Sequence, residues 1–329
     1  MAGEIWRSQA AVALEVTPGT AVQPATRLVY WENPMLSLDI PATPRRSSSG
    51  RRDSVFAVTQ GSKAAGGSMS MPMSADESLE ILNIGVSGDP VITTPSGGTT
   101  SRLWTYKPSE LDSATIEWFD GKRGWIGAGY RANTLTFEGS ADGDNNISAD
   151  LFGADLEAGT VTSGLTERDP SFIQGWQSNL YADSFAGTPG TTSLSGTMVN
   201  WNVQISNNLN RFYTSANTQA AKRTTSGDFD VTASITFDSD DAATLTEFNN
   251  WLAGTKRVLR LEFQDETGFI EGALRRFVTI DIPGAWTAVD LGGDSQGVRT
   301  YSLSFQSIYS STLAAMVQVR VQCPRTAAF

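Results

Sequence analysis

The chain of 329 residues carries 24 Lys and Arg against 35 Asp and Glu, a net charge of −11, with no histidine and a single cysteine, Cys323. This composition excludes an internal disulfide and every nucleophile, base or zinc site that needs imidazole, and it argues against gripping nucleic-acid phosphates as the main activity. Paired carboxylates leave glycosidase-type chemistry open, but the composition as a whole points away from an enzyme, and the length suffices for two domains with separate cores.

In chain order, Met1 to Gly19 has neither a basic start before an apolar run nor a cleavage pattern, so a signal peptide is not expected. No later run reaches the 18 apolar residues of a membrane helix, which reads as a soluble product with no membrane partner. Trp6 opens a stretch, "WRSQAAVALEVTPGT", that ends in Pro-Gly-Thr. Pro41 to Asp53, "PATPRRSSSGRRD", gathers Arg45, Arg46, Arg51 and Arg52 in an otherwise acidic chain and reads at its plainest as a solvated hairpin tip. From Gly66, Met69, Met71 and Met73 alternate with Ser68 and Ser70, the period of a half-buried strand. Ser74 and Glu77 follow at capping-box spacing, ahead of a helix packed by Leu79 and Leu82. Asp89 to Asp112 is rich in Pro, Gly, Ser and Thr and reads as a loop insertion. "IEWFDGKRGWIGAGYRANTLTFEG" from Ile116 reads as a β-hairpin, with Thr134, Thr136 and Glu138 on the wet side of its second strand.

A linker composition at Glu157 to Pro170 separates a first domain, 1–165, from a second, 166–329. Beyond it the order recurs. Trp176 leads to a second Pro-Gly-Thr, and Asn207 to Arg223, which includes Arg211, Phe212 and Tyr213, stands where the basic segment stood. Asp230, Thr232, Ser234 and Thr236 alternate with Val231, Ala233, Ile235 and Phe237 as a half-buried strand. Asp238, Asp240 and Asp241 precede a helix with Leu245, Phe248, Trp251 and Leu252 at helical spacing, stopped by Gly254. "LEFQDETGFIEGALRRFVTIDIPG" from Leu261 makes a second hairpin, with Thr279 and Asp281 on its wet side. The spacing between like features falls from 170 (Trp6 to Trp176) through 164 (Met73 to Phe237) to 145 (Ile116 to Leu261) while their order is unchanged, as in a duplication whose loops have drifted. The fold class is therefore mainly β, α+β: two tandem units, each an antiparallel sheet or sandwich with one short packed helix. Open sheet edges need covering, and pairing them between copies closes a barrel wetted inside, with helices outside.

Other motifs resolve to plain roles. "DGDNN" at Asp142 lacks the Gly and Glu of a calcium loop and reads as a tight turn, with "GGDS" at Gly292 in the same role. "GWIGAGYR" lacks the third Gly and the helix of a nucleotide loop. "NIS" at Asn146 is a glycosylation sequon that a chain without a signal peptide does not use. Nine tryptophans raise a sugar-binding platform, yet Trp118 and Trp251 sit where their neighbours predict burial. The end, from Ala314, reads as a strand added either to its own sheet or to a neighbour's. No metal or cofactor is indicated.

The order Pro-Gly-Thr, alternating strand, "SADESLEILNIG" or "DDAATLTEFNNWLAG" helix, then "TIEWFDG" or "LRLEFQDETGFIEGA" hairpin resembles the major tail tube proteins of long, non-contractile-tailed (siphovirus-type) bacteriophages, from roughly Ala11 to Gln306. The resemblance implies a structural virion protein of the tail, assembled in the host cytoplasm into stacked rings around a channel that conducts DNA. Its expected partners are further copies of itself, a tape-measure protein, and tail-terminator or tail-tip proteins. With one tube domain in each of six places, a doubled chain would fill a ring as a homotrimer with pseudo-sixfold symmetry, six chains with one domain outside being the rival arrangement. Ser68, Ser70, Thr134, Thr136, Glu138, Asp230, Thr232, Ser234, Thr236, Thr279 and Asp281 are then expected to line the channel. Arg45, Arg46, Arg51 and Arg52, with Arg211, Phe212 and Tyr213 in the second half, are expected to dock on the next ring. The alternative from another class is a β-sandwich carbohydrate-binding or virion decoration module.

Overall fold

The computed structural model describes residues 8–23, 31–48, 50, 52–166, 170–194, 196–215 and 218–327; Trp6, Arg51 and part of the expected linker lie outside them. The first half runs β1 (Gln9–Leu14), β2 (Glu32–Asp39), β3 (Ala42–Arg46), β4 (Val55–Gln60), β5 (Ala64–Pro72), α1 (Ser78–Gly85), β6 (Val91–Thr93), β7 (Arg102–Tyr106), β8 (Ala114–Phe119), β9 (Gly124–Ser140), β10 (Asn145–Gly153) and β11 (Asp155–Gly159). The second runs β12 (Ser178–Ser184), β13 (Met198–Ser206), β14 (Asn210–Phe212), β15 (Arg223–Thr225), β16 (Asp230–Asp238), α2 (Ala242–Leu252), β17 (Lys256–Gln264), β18 (Phe277–Ser295), β19 (Val298–Ser307) and β20 (Gln318–Cys323).

Among the described residues, sixteen strands join into one antiparallel system. Eight form an inner layer in the order β2-β5-β10-β9-β13-β16-β19-β18, so strands of the two halves pair directly through β9 and β13. The outer layers are β1-β8-β9-β11 and β12-β17-β18-β20-β7-β6. The long strands β9 and β18 belong to both layers. β9 changes layer at Gly129, which takes φ +69° and gives its N–H to Glu15 Oε1. β18 does so at Gly284, where a Cβ would collide with the Gln306 carbonyl. Between the layers lies one core, with Met69, Met71, Leu135, Phe137, Val203, Ile205, Ile235 and Phe237 from the inner sheet against Ile116, Leu261, Ile280 and Val319 from the outer. The Trp286 ring packs edge-on to Phe237 and Phe305.

Both Pro-Gly-Thr loops are held by a buried acid near the end of the preceding strand. Glu15 accepts from Gly19 N–H, Ser113 and Thr115, and Asp183 accepts from the N–H groups of Gly190, Thr191 and Thr192. That is the physical reason for a tight turn directly after each of β1 and β12.

Several expectations are corrected. Ser74 and Glu77 form no capping box: the Ser74 hydroxyl accepts from Asp76 N–H in a turn, and α1 starts four residues later, with no side-chain cap. α2 is capped as its acidic cluster suggests, Asp241 accepting from Ala243 N–H at 2.7 Å, but its phase differs. Leu245 and Leu252 are 57% and 63% exposed, while Thr244 and Glu247 are buried. The inward position is taken by a carboxylate because Glu247 binds the Trp286 indole N–H and Arg257, each at 2.8 Å. Asp89 to Asp112 is not only loop. Its β7 pairs with β20 and carries β6 outward, extending the second half's outer sheet. Thr99, Thr100 and Ser101 N–H groups fasten it to Glu271, whose acidity their bonds strengthen. The "GGDS" stretch lies inside β18, and the turn falls instead on Gln296 and Gly297, both with positive φ as a tight hairpin requires. The C-terminal strand joins its own sheet.

Candidate functional site

The inner layer buries one face and leaves the other open because every strand in it alternates. Register aligns the open-face residues across the sheet: Ser68 and Ser70 of β5 lie opposite Asp150 and Ser148 of β10, which lie opposite Thr134 and Thr136 of β9. Thr134, Thr136 and Glu138 then lie opposite Ser206, Gln204 and Asn202 of β13. Those pair with Asp230, Thr232 and Ser234 of β16, where Thr236 continues the row, and Gln306, Ser304 and Ser302 of β19 follow. Asp290 of β18 closes the row opposite Ser302. The face is polar over the six strands from β5 to β19, its two edge strands bringing one apolar residue each, Met35 of β2 opposite Ser68 and Ala288 of β18 opposite Ser304; its charges are Glu32, Glu138, Asp150, Asp230 and Asp290, with no Lys or Arg among these positions. Hydrogen bonds brace it laterally: Thr236 with Ser302 at 2.8 Å, Gln306 Nε2 to Asp230 at 2.6 Å, and Asn202 Nδ2 to Glu138 at 3.4 Å.

Nine of the eleven residues expected on a wet channel face are thus brought together. Thr279 and Asp281 are not. They sit in the outer-layer part of β18, both 1% exposed, and Asp281 accepts from the Arg260 guanidinium through both oxygens, at 2.5 and 2.9 Å, while Arg320 stands 3.6 Å away. Contributions from β10, β13 and β19 were missed by sequence, although "NNISADLF", "WNVQIS" and "YSLSFQS" carry the same period of two.

Beyond β13, a loop of the second half grips the first half. Asn207 Nδ2 donates to the carbonyls of Gly85 and Ala132, each at 2.8 Å, closing the end of α1. Arg211 donates to the Ala65 carbonyl and lies 4.1 Å over the Phe152 ring. Tyr213 donates its hydroxyl proton to the Lys63 carbonyl at 2.7 Å, and Phe212, exposed, lies beneath Arg223. The corresponding loop of the first half is the β3–β4 hairpin. It stands out from the body, with Arg45 bonded to Thr59 and Arg46 to Ser54 across the hairpin, and Arg52, Phe56 and Val58 exposed.

Chemistry-bearing groups are placed for structure. Burial pushes the Cys323 thiol up to about 12, so it is no nucleophile. Among the described residues no cluster of His, Cys, Asp or Glu could hold a metal ion, and no helix is long and apolar enough to cross a membrane. Of the tryptophans, Trp176 is largely exposed, whereas Trp118 and Trp251 pack against the core.

A family model described as phage tail tube protein matches residues 6–307. No curated protein matches the chain.

Proposed function

The chain belongs to the phage tail tube protein family, a structural component of the virion tail that self-assembles into a tube, and on that premise we propose that three copies close each ring of a long, non-contractile tail. In this reading 1–165 and 166–329 are duplicated tube domains. The reading is supported by matching pairing orders: β2-β5-β10-β9 in the first half and β13-β16-β19-β18 in the second, with α1 and α2 following β5 and β16.

The observation that carries the proposal is the open face of the eight-stranded layer, whose polar rows run from β5 to β19 straight through the β9–β13 junction. An outer decoration domain would have no need to continue that face. Eight strands at about 4.8 Å each span roughly 38 Å, so three copies make a wall of about 24 strands, near 37 Å across before tilt widens it. One copy, eight strands, would close on a core filled by side chains, and six copies with both halves in the wall would make a far wider ring.

The acidic lining suits passage. DNA phosphates are repelled and find no guanidinium or ammonium to hold them, so the duplex slides without sticking. The arm with Arg45, Arg46, Arg51 and Arg52 suits docking on the acidic surface of the next ring, through bidentate pairs and its exposed Phe56. Of the second-half loop, Phe212 is the part open to such a contact, since Arg211 and Tyr213 bond within the chain. Assembly in the host cytoplasm around a tape-measure protein, ending on terminator or tip proteins, completes the reading. A sugar-binding platform is not favoured, because it needs a row of exposed aromatics. Negative-stain imaging with native mass determination tests the proposal: hollow tubes or rings of three chains support it, and dispersed monomers at high concentration contradict it.

A further inference from the structure

The ring reading leaves open how one chain meets the next, and the fold contains a template. β2 and β13 occupy matching places: Glu32 lies opposite Ser70 of β5 as Asn202 lies opposite Ser234 of β16, and Leu36 opposite Gly67 as Ile205 opposite Val231. Trp31 and Trp201, one residue earlier in each strand, both bury an indole N–H that has no partner among the described residues. β9 and β18 match likewise. Leu135 faces Ala149 as Trp286 faces Phe305, and Glu138 faces Asn146 as Asp290 faces Ser302. β9 and β13 are paired inside the chain. Among the described residues their counterparts are not: there β2 pairs only with β5, and β18 beyond Ala285, where the last pair with β17 falls, pairs only with β19.

We propose that this junction is made a second time, between copies: the free edge of β18 from Trp286 to Gly292 pairs antiparallel with β2 of another copy of this chain, in the register of β9 with β13. Transfer of the internal pairs Ile205–Leu135, Gln204–Thr136 and Asn202–Glu138 sets Leu36 opposite Trp286, Met35 opposite Ala288 and Glu32 opposite Asp290. Three apolar side chains exposed in the single chain then find cover. Leu291 comes to face Trp31, as Gly139 faces Trp201. Leu38, the counterpart of Asn207, comes to the last turn of α2, where Leu252 is exposed. The two junctions differ in one respect that matters for assembly. Inside the chain the facing pair is Asn202 and Glu138, which hydrogen-bond; between copies it is two carboxylates, Glu32 and Asp290. Like charges directly opposite on adjacent strands oppose pairing, so the seam between chains is the weaker one and rings form only above a threshold concentration.

This inference rests on the ring reading, and a charge cycle separates the two. At low ionic strength, where screening is least, ring formation is followed by sedimentation velocity for the full-length chain and for Glu32→Lys, Asp290→Lys and the double variant. Each single change turns repulsion into an ion pair and lowers the assembly concentration by about two- to five-fold per seam, while the double variant, Lys facing Lys, loses that gain. Both side chains are exposed in the single chain; Glu32→Lys leaves monomer melting unchanged, and Asp290→Lys, which gives up only the bond from Gly292 N–H at 2.8 Å, lowers it by no more than a few degrees, so melting reports that the fold is intact. Rings whose assembly is insensitive to the single changes, or for which the two gains add in the double variant, overturn this seam and leave the ring standing. Wild type and variants that remain monomeric at every concentration overturn the ring itself, and the seam with it.

Discussion

Glu247 gives the sharpest test of how the helices seat, because its position inverts the rule that leucines face inward. The carboxylate is fully buried and accepts from Trp286 Nε1 and Arg257 at 2.8 Å and from Asn250 at 3.1 Å. In Glu247→Ala the indole N–H is stranded in the core. The guanidinium, itself mostly buried, loses its carboxylate partner and keeps its bond to the Ala182 carbonyl. Breaking a buried pair by removing one partner costs about 3–5 kcal/mol. Glu247→Gln retains the shape and one acceptor and should cost about 1–2 kcal/mol. Leu245→Ser and Leu252→Ser, on the open side, should stay within about 0.5 kcal/mol in the unassembled chain. Phe248, half-buried with its ring 5.6 Å from that of Trp251, falls between, near 2 kcal/mol for Phe248→Ala. Denaturant titrations followed by tryptophan fluorescence read these values from midpoint shifts at constant slope. A cost above about 1.5 kcal/mol for Leu245→Ser together with less than about 1 kcal/mol for Glu247→Ala would refute the phase and the role given to Glu247.

Three further outcomes are expected. Burial pushes the Asp183 carboxyl up, but hydrogen bonds from the Thr191 hydroxyl and the N–H groups of Gly190, Thr191 and Thr192 outweigh it and hold the group down at about 2; its stabilising contribution is therefore full above the unfolded value near 4 and disappears as pH falls toward 2. Melting curves should show that loss for the wild type and a flatter profile for Asp183→Asn, and identical profiles would contradict it. Thr232→Lys with Ser234→Lys should leave assembly intact and slow DNA delivery, since ammonium groups in the channel hold phosphates; unchanged infectivity would count against a channel role for that face. Deleting residues 47–53 from the arm should leave melting and ring formation unaltered while stopping rings from stacking, read by electron microscopy as rings without tubes; tubes of normal length would remove the arm from the inter-ring contact.

Much of the inner face was legible because a sheet wetted on one side imposes a period of two on its strands, and Ser68, Ser70, Thr134, Thr136, Glu138, Asp230, Thr232, Ser234 and Thr236 follow it. The same rule misassigned Thr279 and Asp281. The sequence of β18 alternates around Thr279 and Asp281, but the strand changes layer at Gly284, and alternation carries no sign of which layer a stretch belongs to. The layer is set by the close approach of Gly284 to Gln306, a tertiary fact. Helix phase failed for α2 for a related reason. Hydropathy counts Glu247 as a solvent residue, whereas Trp286 and Arg257, distant in sequence, make the interior the better place for it. Strands β6 and β7 were read as loop because their Pro, Gly, Ser and Thr-rich flanks dominate the composition, and what makes them strands is the edge of β20 from the other half. The β9–β13 junction was invisible for the same reason: edges pair by backbone groups, which every sequence carries.

The central claim is that both halves of each chain lie in the tube wall. Cryo-electron microscopy of assembled tails, resolved well enough to trace strands, counts the chains in one ring directly. The account predicts three chains, an inner wall of about 24 strands and two kinds of junction alternating around it, β9 with β13 inside a chain and β18 with β2 between chains. A ring of six chains, with one half of each outside the wall, would contradict it.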